Sequence, residues 1–334
     1  MCAGRDGEAV RRGRSRGEDS VSSAMRIVSL LPSATEIVCA LGLEDRLIGV
    51  THECDYPEPV QRLPKVTRTV IPVDAPSKEI DRLVSEQVQT TKALYRLDVP
   101  LLRSLRPDVI VTQSLCDVCA VAPNEVQAAL AQLPGSPLVV NLEPQSVDGV
   151  FDSIRQVASA AGVSGDAVIR RLQTRVEMVA RRSATITARP RMALLEWLDP
   201  PFSSGHWSPE LVRLAGGVEG LGKEGQPSRR LRWEEVAAWA PEVVVVACCG
   251  FSVERAMQDL AAVQASAAWN ELPAVRSGRV YVADGSQYFN RPGPRLVESL
   301  ELLAHALHPD LHPLSVGLSA LHPLSTVATG SLRS

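Results

Sequence analysis

The stretch that decides the fold reads RIVSLLPSATEIVCALGLEDRLIGVTHECDYP, residues 26–57. Residues 26–31 form a short apolar run fit for a buried strand, and Pro32 stops it. Ser33 and Glu36 then read as a capping box, in which the Ser33 hydroxyl accepts from the Glu36 backbone N–H and the Glu36 carboxylate reaches back. ATEIVCALG predicts a helix that ends at Gly42, a residue suited to the left-handed turn that closes helices. Residues 46–50 are a second apolar run. A strand, a helix and a strand in quick succession open a parallel α/β unit.

The alternation continues outward from that stretch. Residues 77–105 are helical in pattern with a break near Pro100, and Pro107 introduces the strand DVIVTQ. A helix is predicted over 123–133 and a strand over 138–142. Residues 147–183 depart from this rhythm, keeping helical spacing without a strand and divided at Gly162 and Gly165. Alternation resumes with the strand RMALLEW at 191–197, helices at 209–214 and 233–239, and the strand EVVVVAC at 242–248. A helix at 253–263, a strand at 279–283 and a helix at 294–307 follow. Both halves carry a helix–Pro–acid–strand theme, LRSLRPDVIV in one and VAAWAPEVVVV in the other. The fold class is therefore α/β, with two Rossmann-like lobes with parallel sheets at 25–145 and 189–308 joined by a long helical spacer at 146–188. Residues 1–24 and 309–334 are expected to be a disordered extension and a disordered tail.

A chain of 334 residues, 45% apolar and 22% charged with a net charge of −3, suits a globular protein of two domains. No basic patch interleaved with aromatics points to nucleic acid. No run reaches the ~18 apolar residues of a membrane span. Residues 1–24 are polar and Arg-rich, interrupted by Asp6, Glu8, Glu18 and Asp19, and lack the apolar centre of a secretory signal. The expectation is a cytoplasmic protein whose cysteines are thiols or metal ligands.

In a parallel α/β sheet the strand ends face one crevice, and ligands bind there. His52 and Cys54 follow the run at 46–50, Cys116 and Cys119 follow the strand at 108–113, and His206 follows the strand at 191–197 and its loop. Cys116 and Cys119 have zinc-ligand spacing, and the same pair also reads as a redox couple or as small residues in a tight loop. Cys54 adds a third thiolate and His52 an imidazole, a donor set suited to zinc. Imidazole also suits the axial position of cobalt in a corrinoid. Cys39 lies on the apolar face of its helix and reads as core. Cys248 and Cys249 are adjacent on a strand, so at most one faces the crevice.

Aromatic residues are 4% of the chain and gather in these loops: Tyr56, Trp197, Phe202, Trp207, Tyr288 and Phe289. They serve either as walls for a flat apolar ligand or as interlobe packing. Trp233 and Trp239 lie on a helix and read as core. Arg291 and Arg295 precede the last helix; Arg291 can meet an anion there, the alternative being that both are solvated. No phosphate-cradling loop, GxSxG elbow or HExxH helix appears. Glu196 beside Asp199 is the one acid cluster near a crevice, and no catalytic residue is assigned.

Several of these stretches resemble the cobalamin-binding and siderophore-binding proteins that serve ABC importers. The opening quoted above resembles their first lobe, and PPFSSGHW followed by ELVRLAGGVEGLG resembles the start of their second. WEEVAAWAPEVVVV and NRPGPRLVESLELLAHAL resemble its later strand and terminal helix, so the likeness runs over residues 25–308 and is nearest to the cobalamin binders. The resemblance implies two lobes joined by one long helix, a cobalamin-like ligand in the cleft between them, and an ABC permease as partner. It places Tyr56, Phe202, Tyr288 and Phe289 in that cleft, where His206, Trp207 and Arg291 are further candidates. Two features depart from that family: its members are exported, and they do not usually carry a CxxC here or the pair Cys248 and Cys249. The reading is a non-enzymatic ligand-binding protein. The alternatives are a cytosolic zinc- or thiol-dependent protein using Cys54, Cys116 and Cys119, and a binding fold reused for protein contact.

Overall fold

The computed structural model describes residues 25–72, 74–90, 94–114, 121–314 and 321–324. β1 (Ile27–Ser29) is wholly buried, α1 (Pro32–Ala40) follows it, and Gly42 turns the chain out at φ +72°. The expected capping box does not form. The helix starts at Pro32 with Leu31 as its N-cap and no side-chain cap, which puts Glu36 in mid-helix, where it turns to a different partner. β2 (Leu47–Gly49), β3 (Thr67–Thr69), α2 (Ser77–Thr90), β4 (Tyr95–Leu97), α3 (Val99–Leu105), β5 (Val109–Gln113), α4 (Pro123–Leu130) and β6 (Leu138–Leu142) complete the first lobe. Its sheet is parallel, in the order β2-β1-β5-β6. β3 and β4 pair antiparallel outside that sheet and carry α2 between them. The pattern at 77–105 thus resolves into two helices and a strand. Asp98 caps the second helix by accepting from the Leu101 N–H at 2.9 Å, and Pro100 sits in its first turn, where no N–H is needed.

The spacer is two helices rather than one, α5 (Val147–Ala160) and α6 (Asp166–Ser183), parted at Gly162 and Gly165. Ser146 caps the first through the Gly149 N–H at 3.1 Å. The second lobe comprises β7 (Arg191–Leu198), β8 (Pro201–Ser203), α7 (Ser208–Leu214), β9 (Val218–Glu219), α8 (Trp233–Trp239) and β10 (Val243–Val246). It continues with α9 (Val253–Val263), α10 (Ala267–Asn270), α11 (Pro273–Arg276), β11 (Val280–Ala283), α12 (Leu296–Leu307) and β12 (Leu321–Pro323). The order is β12-β11-β10-β7-β8 with β9 on β7, parallel except for β8 and β12. The expectation of a disordered tail after residue 308 fails for 321–323, which pair with β11, and for His312, which is buried with its Nε2 at 3.0 Å from the Ser183 hydroxyl.

Side chains alternate across both sheets, as strands require. Met192, Leu194, Val243 and Val245 share one core with Ile27, Val109 and Val111 of the first lobe, bridged by α5, α6, α7 and α12. Ala193, Leu195, Val244 and Val246 face a second core, and Val28 and Ile110 a third. One apolar interior therefore runs through both lobes, and each sheet carries a private core on its other face.

The repeated theme has a physical basis. Arg106 and Ala240 end their helices in the left-handed region, at φ 49° and 51°, just before Pro107 and Pro241. The acid after each proline then accepts from a backbone N–H where the neighbouring strand begins, on the residue just before β1 in one lobe and on the first residue of β7 in the other. Asp108 accepts from the Arg26 N–H at 2.8 Å, and Glu242 accepts from the Arg191 N–H at 3.0 Å. Asp108→Ala and Glu242→Ala should each lower stability by about 1 kcal/mol, a matched pair of shifts in urea midpoint; an effect at one site and none at the other would break the equivalence.

Candidate functional site

α1 starts at the C-terminal end of β1, and α12 starts after the loop that leaves β11, so their first turns meet where strand ends face one another. They meet closely: a Cβ at Gly293 would stand 3.3 Å from the Ser33 carbonyl oxygen. Arg295 Nη2 and Nε donate to the two Glu36 carboxylate oxygens at 2.6 and 3.1 Å, a bidentate pair across the lobes. Arg291 Nη1 donates to Asp55 at 2.6 Å and lies 3.6 Å from Glu36. Glu36 and Arg295 are both buried. Burial pushes the Glu36 carboxyl above its ordinary range, against the hydrogen bonds and charge of Arg295 and the charge of Arg291. The Arg295 guanidinium lies over the Tyr56 ring at 4.0 Å and the Tyr288 ring at 5.5 Å. Burial raises the Tyr288 phenol.

The structure thus brings together Tyr56, Tyr288 and Arg291. It adds three residues the sequence did not single out for this role: Glu36, Asp55 and Arg295. Their signal was present, an acid inside an apolar helix and an arginine at the head of another. The solvated reading of Arg295 does not hold, because it is 6% exposed.

The other candidates fall elsewhere. Trp207 and Phe289 are buried in the shared core, where the indole N–H donates to the Phe289 carbonyl at 2.7 Å. His206 stacks on Trp207 at 5.6 Å with φ 51°, and its Nδ1 is buried without a hydrogen-bond partner among the described residues. Burial lowers its imidazole below the ordinary range. Phe202 lies 5.8 Å from the Arg230 guanidinium. His52 Nδ1 is 2.8 Å from the Thr67 hydroxyl, and its ring sits 5.5 Å from Tyr95, beside a recess lined by Leu30, Thr51, Glu53 and Val121. Burial lowers His52 as well.

Cys54 points away from that recess into the core. It is 2% exposed, with the Thr35 and Thr51 hydroxyls at 3.1 and 3.2 Å from its sulfur. Burial pushes its thiol up despite those two hydrogen bonds. Cys116 and Cys119 lie outside the described residues, and among the described residues no group of three or more His, Cys, Asp and Glu side chains is placed to hold a metal. Cys39 packs against the shared core, its thiol pushed up to about 12 by burial. Cys248 is buried and Cys249 exposed.

Two outcomes follow. Glu36→Ala or Arg295→Ala alone strands a buried charge and should cost about 3–5 kcal/mol, whereas Glu36→Leu with Arg295→Met should recover most of that loss in denaturant unfolding. In the native protein iodoacetamide should modify Cys249 and spare Cys54 until the chain unfolds, as peptide mass mapping reads directly; equal labelling would refute the buried thiol.

The periplasmic binding protein family matches residues 27–286. The chain is 26% identical over 284 residues to the vitamin B12-binding protein of Vibrio cholerae, covering 83% of this chain and 87% of that one. It is 24% identical over 298 residues to an uncharacterized ABC transporter substrate-binding lipoprotein of Bacillus subtilis, covering 85% and 80%. The periplasmic heme-binding protein of Roseiflexus sp. RS-1, in apo form, superposes with a TM-score of 0.66 at 22% identity, covering 86% of this chain and 99% of that one. These matches correct the expectation of a cytoplasmic protein, since the family is periplasmic and the Bacillus relative is a lipoprotein. Two α/β lobes, a core shared between them and a match over most of their length agree: the chain belongs to the periplasmic binding protein family.

Proposed function

We propose that this binding protein holds cobalamin, or a similar corrinoid or metal chelate, in the cleft between its lobes and delivers it to an ABC permease. The observation that carries the reading is the pair of tyrosine rings at facing strand ends with one flat guanidinium over both. Rings so placed offer stacking faces to a planar ligand, and Tyr56 is 47% exposed. Asp55, half exposed in its pair with Arg291, puts a carboxylate beside them for amide N–H groups on the ligand's rim. The vitamin B12-binding relative from Vibrio cholerae supports the ligand class, and the Bacillus subtilis relative supports the transport role. The shared core restrains the lobes, so the ligand is admitted by modest side-chain and loop movement rather than by wide closure. His206, whose buried Nδ1 has no hydrogen-bond partner among the described residues, and His52 are the two imidazoles we put forward for axial contact with cobalt, each requiring movement to reach it.

A thermal-shift and absorbance titration with cyanocobalamin, cobinamide, hemin and a ferric siderophore tests this. A corrinoid at a hundred times its Kd should stabilise the fold by about 2.7 kcal/mol. Tyr56→Ala with Tyr288→Ala should weaken binding by about tenfold or more. No shift with any of these four ligands overturns the proposal. Unchanged cobalt absorption bands in His52→Ala and in His206→Ala exclude axial ligation by either.

A further inference from the structure

The excursion that carries α2 leaves the first lobe beside the end of β2, where the His52 N–H donates to Thr67 of β3 at 3.2 Å. Its helix comes to rest on the second lobe. Asp81 accepts from Arg230 Nη2 at 2.7 and 2.9 Å, beside the edge strand β8. Arg255, in the first turn of α9, donates to the Ala75 carbonyl at 3.0 Å and to Asp259 at 2.9 Å, and the Ser77 hydroxyl donates to Asp259 as well. Ile80 packs against the private core of the second lobe. Both arginines are backed by aromatic rings, Arg255 over Phe251 at 4.4 Å and Arg230 over Phe202 at 5.8 Å.

The placement of these contacts gives them meaning. Arg291 and Arg295 follow β11, Arg255 follows β10, and Arg230 bridges Phe202 of β8. Residues of the first lobe therefore touch the second along the C-terminal edge of its sheet, from β11 through β10 to β8. That edge is where an α/β lobe presents its ligand. The arginine pair that meets Glu36 and Asp55 closes the edge at one end, and residues 74–81 close it at the other.

The second closure is lightly held. Ser77 is the one fully buried residue of α2, and the rest of the helix is half-buried or exposed, with Ile80 packed against the second lobe's core, so the helix lies on the surface rather than within a core. Arg230 is half exposed. Such a helix can lift without opening a core, because local release costs little where few apolar contacts are broken. The Glu36–Arg295 pair, buried on both sides, cannot separate as readily.

We propose that residues 74–90 are a releasable cover over the interlobe cleft, docked on the second lobe and lifted for ligand to enter and leave. This rests on the cleft-binding reading above, and its test includes an arm that needs no ligand. Hydrogen–deuterium exchange of the ligand-free protein is compared in wild type, Asp81→Asn with Ser77→Ala, and Arg230→Gln. Amides of residues 77–90 should exchange roughly two- to fivefold faster in either variant, as loss of exposed polar pairs implies. Amides of α6 should not change. Raising the salt to about 1 M should move the wild type the same way by screening. Protection of 77–90 unchanged in both variants overturns the cover, as does faster exchange spread over the whole chain. Stopped-flow mixing with cyanocobalamin and with hemin supplies the second arm. Whichever binds should associate faster in the variants by a similar factor, and equal rates overturn the gating role. If none of the four ligands of the titration binds, the functional proposal fails and the gating claim fails with it, while exchange still decides whether the helix is releasable.

Discussion

A carboxylate removed from water is tolerable only with compensation, and Glu36 obtains it from the opposite lobe. Its partner Arg295 is as deeply buried and has its own need for acceptors. Neither lobe could keep its residue in place with the other removed, so this contact fixes how the two sheets face each other. Everything nearby takes its bearings from it. Tyr56 and Tyr288 are arranged about the same guanidinium, and Arg291 holds Asp55 in the adjoining position. A polar pair in this setting sets geometry more than it adds stability, since well-packed apolar residues could fill the same space.

The apolar interior tells the same story with weaker individual forces. The inner faces of both sheets meet one continuous core through the connecting helices. Interiors packed this way resist shear, because displaced side chains leave gaps that water does not fill. The lobes therefore move as parts of one body near the connecting helices. Freedom is concentrated at the strand ends, where loops and the laid-on α2 carry the contacts.

Much of the architecture was legible in the residues. Hydrophobic runs bounded by proline and glycine marked β1, β5, β7 and β10, because a strand buried on both faces leaves an unbroken apolar signature. The short antiparallel strand β4 was hidden inside a helical pattern and β3 lay in a stretch assigned no element, since strands of three residues carry too little periodicity to show. The site was legible in part. Tyr56, Tyr288 and Arg291 could be chosen because aromatic and cationic residues in strand-end loops are unusual. Glu36 was read locally as a cap, and its true partner lies 259 positions away, beyond any local rule. Cys54 looked available from its loop position, but two threonine hydroxyls and a closed core are properties of the folded chain alone.

The second lobe's sheet also has a border to protect. Without β12, strand β11 would present a row of unpaired amides and carbonyls, the kind of rim along which one molecule adds to the next. Three residues near the far end of the chain return to cover it, antiparallel to the strand they shield. The covering strand ends in Pro323, which has no N–H to offer a newcomer. A segment that reads as a dispensable tail thus acts as a hem, and the rim it leaves is three residues long and closed by a proline.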